Sequence, residues 1–288
     1  MSTHTWKWHL SSADAWEAML SASEQAKVSI DLEEFIFVND AVGERFVTTL
    51  LNKVGDGVRV RVLCDAAGSF FFSASQMGRR LREGGVELKF FNPISPWKVI
   101  TLEPWAFRDH RKLLVIDRQR AFVGGVCIGE EFVRWRDTMV EISGEIAGHL
   151  QETFEHMWWA TKRKKFTRFK DVRQTEDGFT VITNAPHFRQ RFINRTFLDV
   201  MRHAKKYIYL TTPYFVPDRR FFRVLRLAAR RGVDVRILLP VKTDHPYVDM
   251  ASSAHFRKAF KSGVRIFRYQ VSMLHAKTLV VGAPISTT

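Results

Sequence analysis

Two periodicities alternate along the 288 residues. In 14–26 the apolar Trp16, Met19 and Leu20 share one helical face, and Asp14 lies in an acidic first turn. Residues 28–37 read as a strand. Asp40 caps a helix to about Val54, with Val47, Leu50, Leu51 and Val54 recurring at i, i+3, i+4 and i+7. Gly57 ends that helix, and 58–63 alternates as a strand. A helix over about 73–83, closed by Gly84-Gly85, precedes a strand over 86–91. Leu113, Leu114, Val115 and Ile116 form a buried strand that ends in a turn at 117–120. A strand over 139–142 and a helix over about 145–160 follow, with Ile146, Leu150, Phe154 and Met157 on one face.

The order then recurs. Residues 207–210 match the strand at 28, Asp218 opens a helix bearing Phe221, Val224, Leu225 and Ala228, and 232–238 and 263–267 mirror 57–63 and 85 onward. Asp40 to Asp218 is 178 positions, Val58 to Val233 is 175, and Gly85 to Gly263 is 178. Strands alternating with helices in two matched halves predict an α/β fold. Each half is expected to hold a mostly parallel mixed sheet flanked by helices. The basic run at 162–170 places the boundary between halves, at 1–165 and 166–288.

Each half carries a His and a Lys two residues apart, His110 with Lys112 and His275 with Lys277. On an extended backbone both side chains leave the same face. If the halves pack about a pseudo-two-fold, two imidazoles and two ammoniums surround one cavity suited to a tetrahedral phosphoryl group. An imidazole can attack phosphorus while another protonates the departing alkoxide, and lysines offset the growing oxyanion charge. No metal ligands are spaced for a site, and this chemistry needs no cofactor. The histidines are only 165 apart, so the first half holds about 13 additional residues, at 93–107, rich in proline and apolar side chains. That insertion reads either as a lipid- or substrate-facing loop, which Phe70, Phe71 and Phe72 would join, or as a loop folded over the core.

The formal net charge of +15 calls for an anionic partner, nucleic acid or acidic lipid. Cys64 and Cys127 offer neither a disulfide framework nor a metal motif, which fits a reducing compartment. No apolar run reaches the length of a membrane span and the N-terminus lacks a signal core, so a soluble or peripheral protein is expected. Nothing in the chain sets an oligomeric state.

The pattern His110-x-Lys112 with Asp117 and Gly124-Gly125, and its second copy at His275 and Lys277, resembles the phospholipase D superfamily. The flanks at 29–37, 62–69, 90–93, 135–138 and 274–277 are similar to bacterial cardiolipin synthases. The resemblance implies a phosphatidyltransferase acting through a phosphohistidine on phosphatidylglycerol-like lipids, cytoplasmic and peripheral on the inner membrane. It makes His110 the nucleophile and His275 the acid and later base, an assignment that could be reversed. Asp137 would orient His110, Asp117 would hold the motif turn, and Gly124, Gly125, Cys127 and Glu34 would lie near the substrate. For Glu34 the plain alternative is a strand-end carboxylate satisfied by a nearby arginine.

Three departures from the family stand out. Cys127 replaces the usual Asn, a loss that the N–H groups of Gly124 and Gly125 would partly offset. Gly282 replaces the second motif's Asp. The chain also stops at Thr288, ahead of a second Gly-Ser-x-Asn segment, which would leave the second motif strand unpaired on one side. Competing readings are a superfamily phospholipase or endonuclease using water or nucleic acid, and a catalytically silent relic that binds anionic membranes.

Overall fold

The computed structural model of the chain describes residues 5–93, 108–163, 172–174, 178–184 and 192–282. They fall into two compact units, Met1–Val133 with Thr138–Gln190, and Arg134–Asp137 with Arg191–Thr288. The expected boundary at 165 and 166 lies outside the described residues, and a four-residue segment of the first half, Arg134–Asp137, groups with the second unit. All but the first residue of the insertion at 93–107, and most of the basic run, lie outside the described residues.

The first unit runs β1 (Thr5–His9), α1 (Ser12–Glu24), β2 (Ser29–Glu34), α2 (Ala41–Gly55), β3 (Arg59–Asp65), α3 (Phe70–Ala74), α4 (Gln76–Glu83), β4 (Glu87–Phe91), β5 (Leu113–Ile116), β6 (Arg120–Gly124), β7 (Met139–Ser143), α5 (Glu145–Arg163), β8 (Val172–Gln174) and β9 (Thr180–Ile182). Seven strands form one sheet in the order β1-β7-β6-β5-β2-β3-β4. All six residues of β2 are buried, as a central strand requires. Only β2-β3 and β3-β4 are parallel, and the other four ladders are antiparallel. The expectation of a mostly parallel sheet therefore fails here. The reason is local: β5 and β6 are joined by three residues, and so short a link permits only a hairpin.

Caps set the helix bounds. The Asp40 carboxylate accepts from the N–H of Gly43 to open α2, and the Ser11 hydroxyl accepts from the N–H of Asp14 to open α1. Ser75 splits the helix expected over 73–83. It ends α3 in extended backbone, and its hydroxyl accepts from the N–H of Gly78 to start α4. On α5 the predicted face is buried, with Ile146, Leu150, Phe154, Met157 and Trp158 packed on Leu63, Leu113 and Val115. Each such side chain contributes roughly 1.5–3 kcal/mol.

The second unit runs α6 (Phe192–His203), β10 (Tyr207–Thr211), α7 (Arg219–Arg230), β11 (Asp234–Pro240), α8 (Pro246–Phe260), β12 (Arg265–Tyr269) and β13 (Thr278–Val281). Its sheet order, β12-β11-β10-β13, repeats β4-β3-β2-β5 of the first unit with the same strand senses. Here two of three ladders are parallel, as expected. Asp218 caps α7 by accepting from the N–H groups of Arg220 and Phe221. Leu225, Ala228, Ile208 and Ile237 form the fully buried centre of this unit. Among the described residues β13 pairs only with β10 and is an edge.

Candidate active site: two histidine-lysine half-sites

In the first unit the motif stands just ahead of its strand. Residues 110–112 are outside β5, so the same-face argument for His110 and Lys112 does not hold. His110 is exposed and its ring stacks on Phe35, centroids 3.9 Å apart. Lys112 is buried, donates from Nζ to the His110 carbonyl at 2.8 Å, and lies 4.9 Å from the Phe35 ring centroid. The backbone here is pinned from below. The Asp65 carboxylate accepts from the N–H of Asp109 at 2.8 Å, and Arg111 pairs with buried Glu33 at 2.6 Å.

Glu34 lies near enough to Lys112 to feel its charge, and in the β2-β3 ladder it pairs with Cys64. Glu34 is 1% exposed and neither carboxyl oxygen has a hydrogen-bond partner among the described residues. Burial drives its carboxyl well above the usual range, against the pull of Lys112. The arginine-satisfied alternative thus falls on Glu33 next door, not on Glu34.

The remaining first-half expectations divide. Asp117 holds structure, as its place in the turn implied: its carboxylate accepts from the N–H groups of Lys27, Val28 and Ser29 at 2.8–2.9 Å. Gly124 and Gly125 do not present free amides to a phosphate. Their N–H groups donate to the carbonyls of Lys112 and Thr138, and a Cβ on Gly124 would meet the Thr138 oxygen at 2.2 Å. Gly124 is required by close backbone approach, and with both amides already used the proposed compensation for Cys127 is corrected. Cys127 is buried, and its carbonyl accepts from the Trp16 indole at 3.0 Å.

The second half-site is assembled by the segment 134–137. The N–H of Arg136 donates to the Met273 carbonyl at 2.8 Å, and the N–H of His275 donates back to the Arg136 carbonyl at 2.9 Å. That bridge carries Asp137 to the histidine, with its Oδ2 2.6 Å from His275 Nδ1. Asp137 therefore orients His275; the expectation that it serves His110 is corrected. A carboxylate accepts only, so the pairing puts a proton on Nδ1 and leaves Nε2 for chemistry. Lys277 Nζ lies 2.9 Å from Nε2. Trp135 meets the imidazole edge-on at 5.1 Å, and Tyr214 at 6.4 Å. Gly282, in the second motif's Asp position, packs on the Tyr207 ring, which a Cβ would approach to 2.8 Å.

Phe35, Asp65, Arg111, Trp135 and Tyr214 were not singled out from sequence. Asp65 alone had a local signal, since its Asp-Ala-Ala-Gly-Ser run forms a turn in which its carboxylate accepts from the N–H groups of Ala67 and Gly68. Among the described residues no group of three His, Cys, Asp or Glu is placed to hold a metal, and no helix is long and apolar enough to cross a membrane.

A duplicated α/β sheet whose matching strands are each preceded by a histidine and a lysine is the arrangement of the phospholipase D-like fold. Known proteins agree. The family model described as "Cardiolipin synthase, PLD-like domain" matches residues 19–158 and 197–288. The chain is 36% identical over 281 residues to cardiolipin synthase A of Pseudomonas putida strain W619, and 34% identical over 283 to that of Pseudomonas syringae pv. syringae strain B728a. These alignments cover 94% and 95% of this chain and 58% of each relative, so the chain spans under two thirds of their length. Among solved structures, the phosphatidylserine synthase of Haemophilus influenzae Rd KW20 superposes with TM-score 0.68 at 15% identity, covering 96% of this chain and 76% of that one. The polyphosphate kinase of Porphyromonas gingivalis gives 0.59 at 13%, covering 96% and 43%. The chain belongs to the cardiolipin synthase PLD-like family.

Proposed function

We propose that this chain carries the phosphatidyl-transfer chemistry of a cardiolipin synthase, acting on phosphatidylglycerol or a similar anionic phospholipid at a membrane surface. The observation that supports it most directly is the Asp137–His275–Lys277 constellation, with the His110–Lys112 pair as its counterpart in the duplicated half. A bond forms between the His110 Nε2 and the phosphorus of the phosphodiester, and the bond to the departing glycerol oxygen breaks as His275 gives that oxygen a proton. In the second step His275 takes the proton of an acceptor hydroxyl, whose oxygen forms a bond to phosphorus and releases His110. Lys112 and Lys277 offset charge on the non-bridging oxygens. Asp137 fixes the His275 ring and supplies a countercharge during proton transfer.

The positive charge of the chain supports a peripheral place on the cytoplasmic face of the inner membrane. The test is to incubate the 288-residue protein with radiolabelled phosphatidylglycerol vesicles. Cardiolipin and glycerol are the expected products, and His110→Ala and His275→Ala abolish both. Single-stranded DNA serves as the second substrate: cleavage of DNA with lipid untouched replaces transfer by the nuclease reading.

A further inference from the structure

The sequence Phe70-Phe71-Phe72 divides sharply in the structure. Phe72 is buried at 1% exposure and stacks on Phe37 at 4.2 Å. Phe70 and Phe71 are 54% and 85% exposed, and Phe71 is the most exposed large hydrophobic side chain among the described residues. The two exposed rings meet edge to face at 5.5 Å and form one apolar knob.

The knob stands on a rigid base. Ser69 donates to the Phe35 carbonyl and accepts from the N–H of Phe37, while a Cβ on Gly68 would reach the Phe35 oxygen at 2.2 Å. Phe35 is the residue on which His110 stacks. One hydrogen-bonded turn therefore connects the exposed aromatics to the first half-site. The flank is cationic: Arg79 and Arg82 on α4 are exposed, and Arg82 donates from Nη2 to the Ser73 carbonyl at 3.3 Å. Apolar rings with a guanidinium beside their base match a bilayer of acidic phospholipid, whose surface draws cations and whose interior takes the rings.

We infer that Phe70 and Phe71 are a membrane-inserting wedge that seats the His110 half-site on an acidic bilayer. This rests on the lipid reading of the site for its purpose, but insertion itself is read by dye quenching and partitioning, without turnover.

A bimane dye on Phe71→Cys labels selectively, because Cys64 and Cys127 are buried. Nitroxide-bearing acyl chains in vesicles of phosphatidylglycerol and phosphatidylethanolamine should quench it. Phe70→Ser/Phe71→Ser should weaken partitioning to those vesicles about ten-fold or more. Arg79→Ser/Arg82→Ser should weaken it on these vesicles and change nothing on phosphatidylcholine. Activity on a monomeric short-chain phospholipid should be unchanged in the double Phe variant, and its thermal midpoint should match the parent's. Vesicles that pull the protein down without quenching the dye overturn the wedge, as does dye quenching that tracks protein concentration without lipid, which marks a self-association face. Insertion without cardiolipin formation leaves the wedge standing and removes the transfer reading instead.

Discussion

Asp137 Oδ2 lies 2.6 Å from Nδ1 of His275, a residue 138 positions away, and both belong to the second unit. The contact exists because Arg136 exchanges backbone hydrogen bonds with Met273 and His275. Asp137→Asn keeps the shape and reverses the hydrogen-bond sense, favouring the wrong tautomer. Turnover should fall by about 10²–10⁴-fold with an unchanged melting temperature. In a His275→Ala background the same change should cost little, and full additivity would show that Asp137 acts elsewhere.

Glu34 provides a pH-dependent test. Its carboxyl is raised by burial, so the folded state holds a proton that the unfolded chain releases near pH 4.5. The stabilisation is complete below that value and is lost as pH rises toward the folded pKa. Glu34→Gln removes the titration, so its stability relative to the parent should increase with pH above about 4.5. Parallel urea melts at several pH values measure this, and a pH-independent difference would mean that Glu34 is ionised in the fold.

The turn between β5 and β6 carries strain. Asp117 and Arg118 have φ of 53° and 58°, and the N–H of Gln119 donates to the Ile116 carbonyl at 3.0 Å, as in a type I′ turn. Arg118→Gly should stabilise by roughly 0.5–1 kcal/mol. Asp117→Ala should destabilise by about 2–3 kcal/mol, because three backbone N–H groups lose a charged acceptor. Chemical denaturation of the two variants should therefore shift in opposite directions.

Beneath the sheet, Arg61 donates to buried Asp31 and to Glu155, and Gln151 also donates to Asp31. Burial raises the Glu155 carboxyl, but the Arg61 hydrogen bonds outweigh it and hold the group below its usual range. Asp31→Ala should cost about 3–5 kcal/mol, since it leaves a buried guanidinium short of a partner. Asp31→Ala with Arg61→Met should recover much of that loss, and calorimetry of the single and double variants tests the coupling.

Periodicity served well where burial is one-sided. The α5 face, the Asp40 and Asp218 caps and the duplicated order all follow from spacing of a few residues. It served poorly where neighbours in space decide. Nothing in Trp6-Lys7-Trp8 reveals that β1 pairs with β7 at the sheet edge. The serine at 75 gave no clear sign of breaking one helix into two, because the same residue type is tolerated inside helices. Glu33 and Glu34 are adjacent and alike in sequence, yet one meets Arg111 and the other meets no hydrogen-bond donor among the described residues.

By itself the sequence determined the repeated α/β order, the two His-x-Lys motifs and the glycine turns, because these depend on local backbone preferences and on side-chain periodicity. Only the tertiary structure decided that Asp137 serves His275, that the Gly124 and Gly125 amides are already used, and that two of three consecutive phenylalanines face solvent. Those outcomes turn on which distant strand supplies the next hydrogen bond or the next buried surface, and a linear pattern holds no record of that choice.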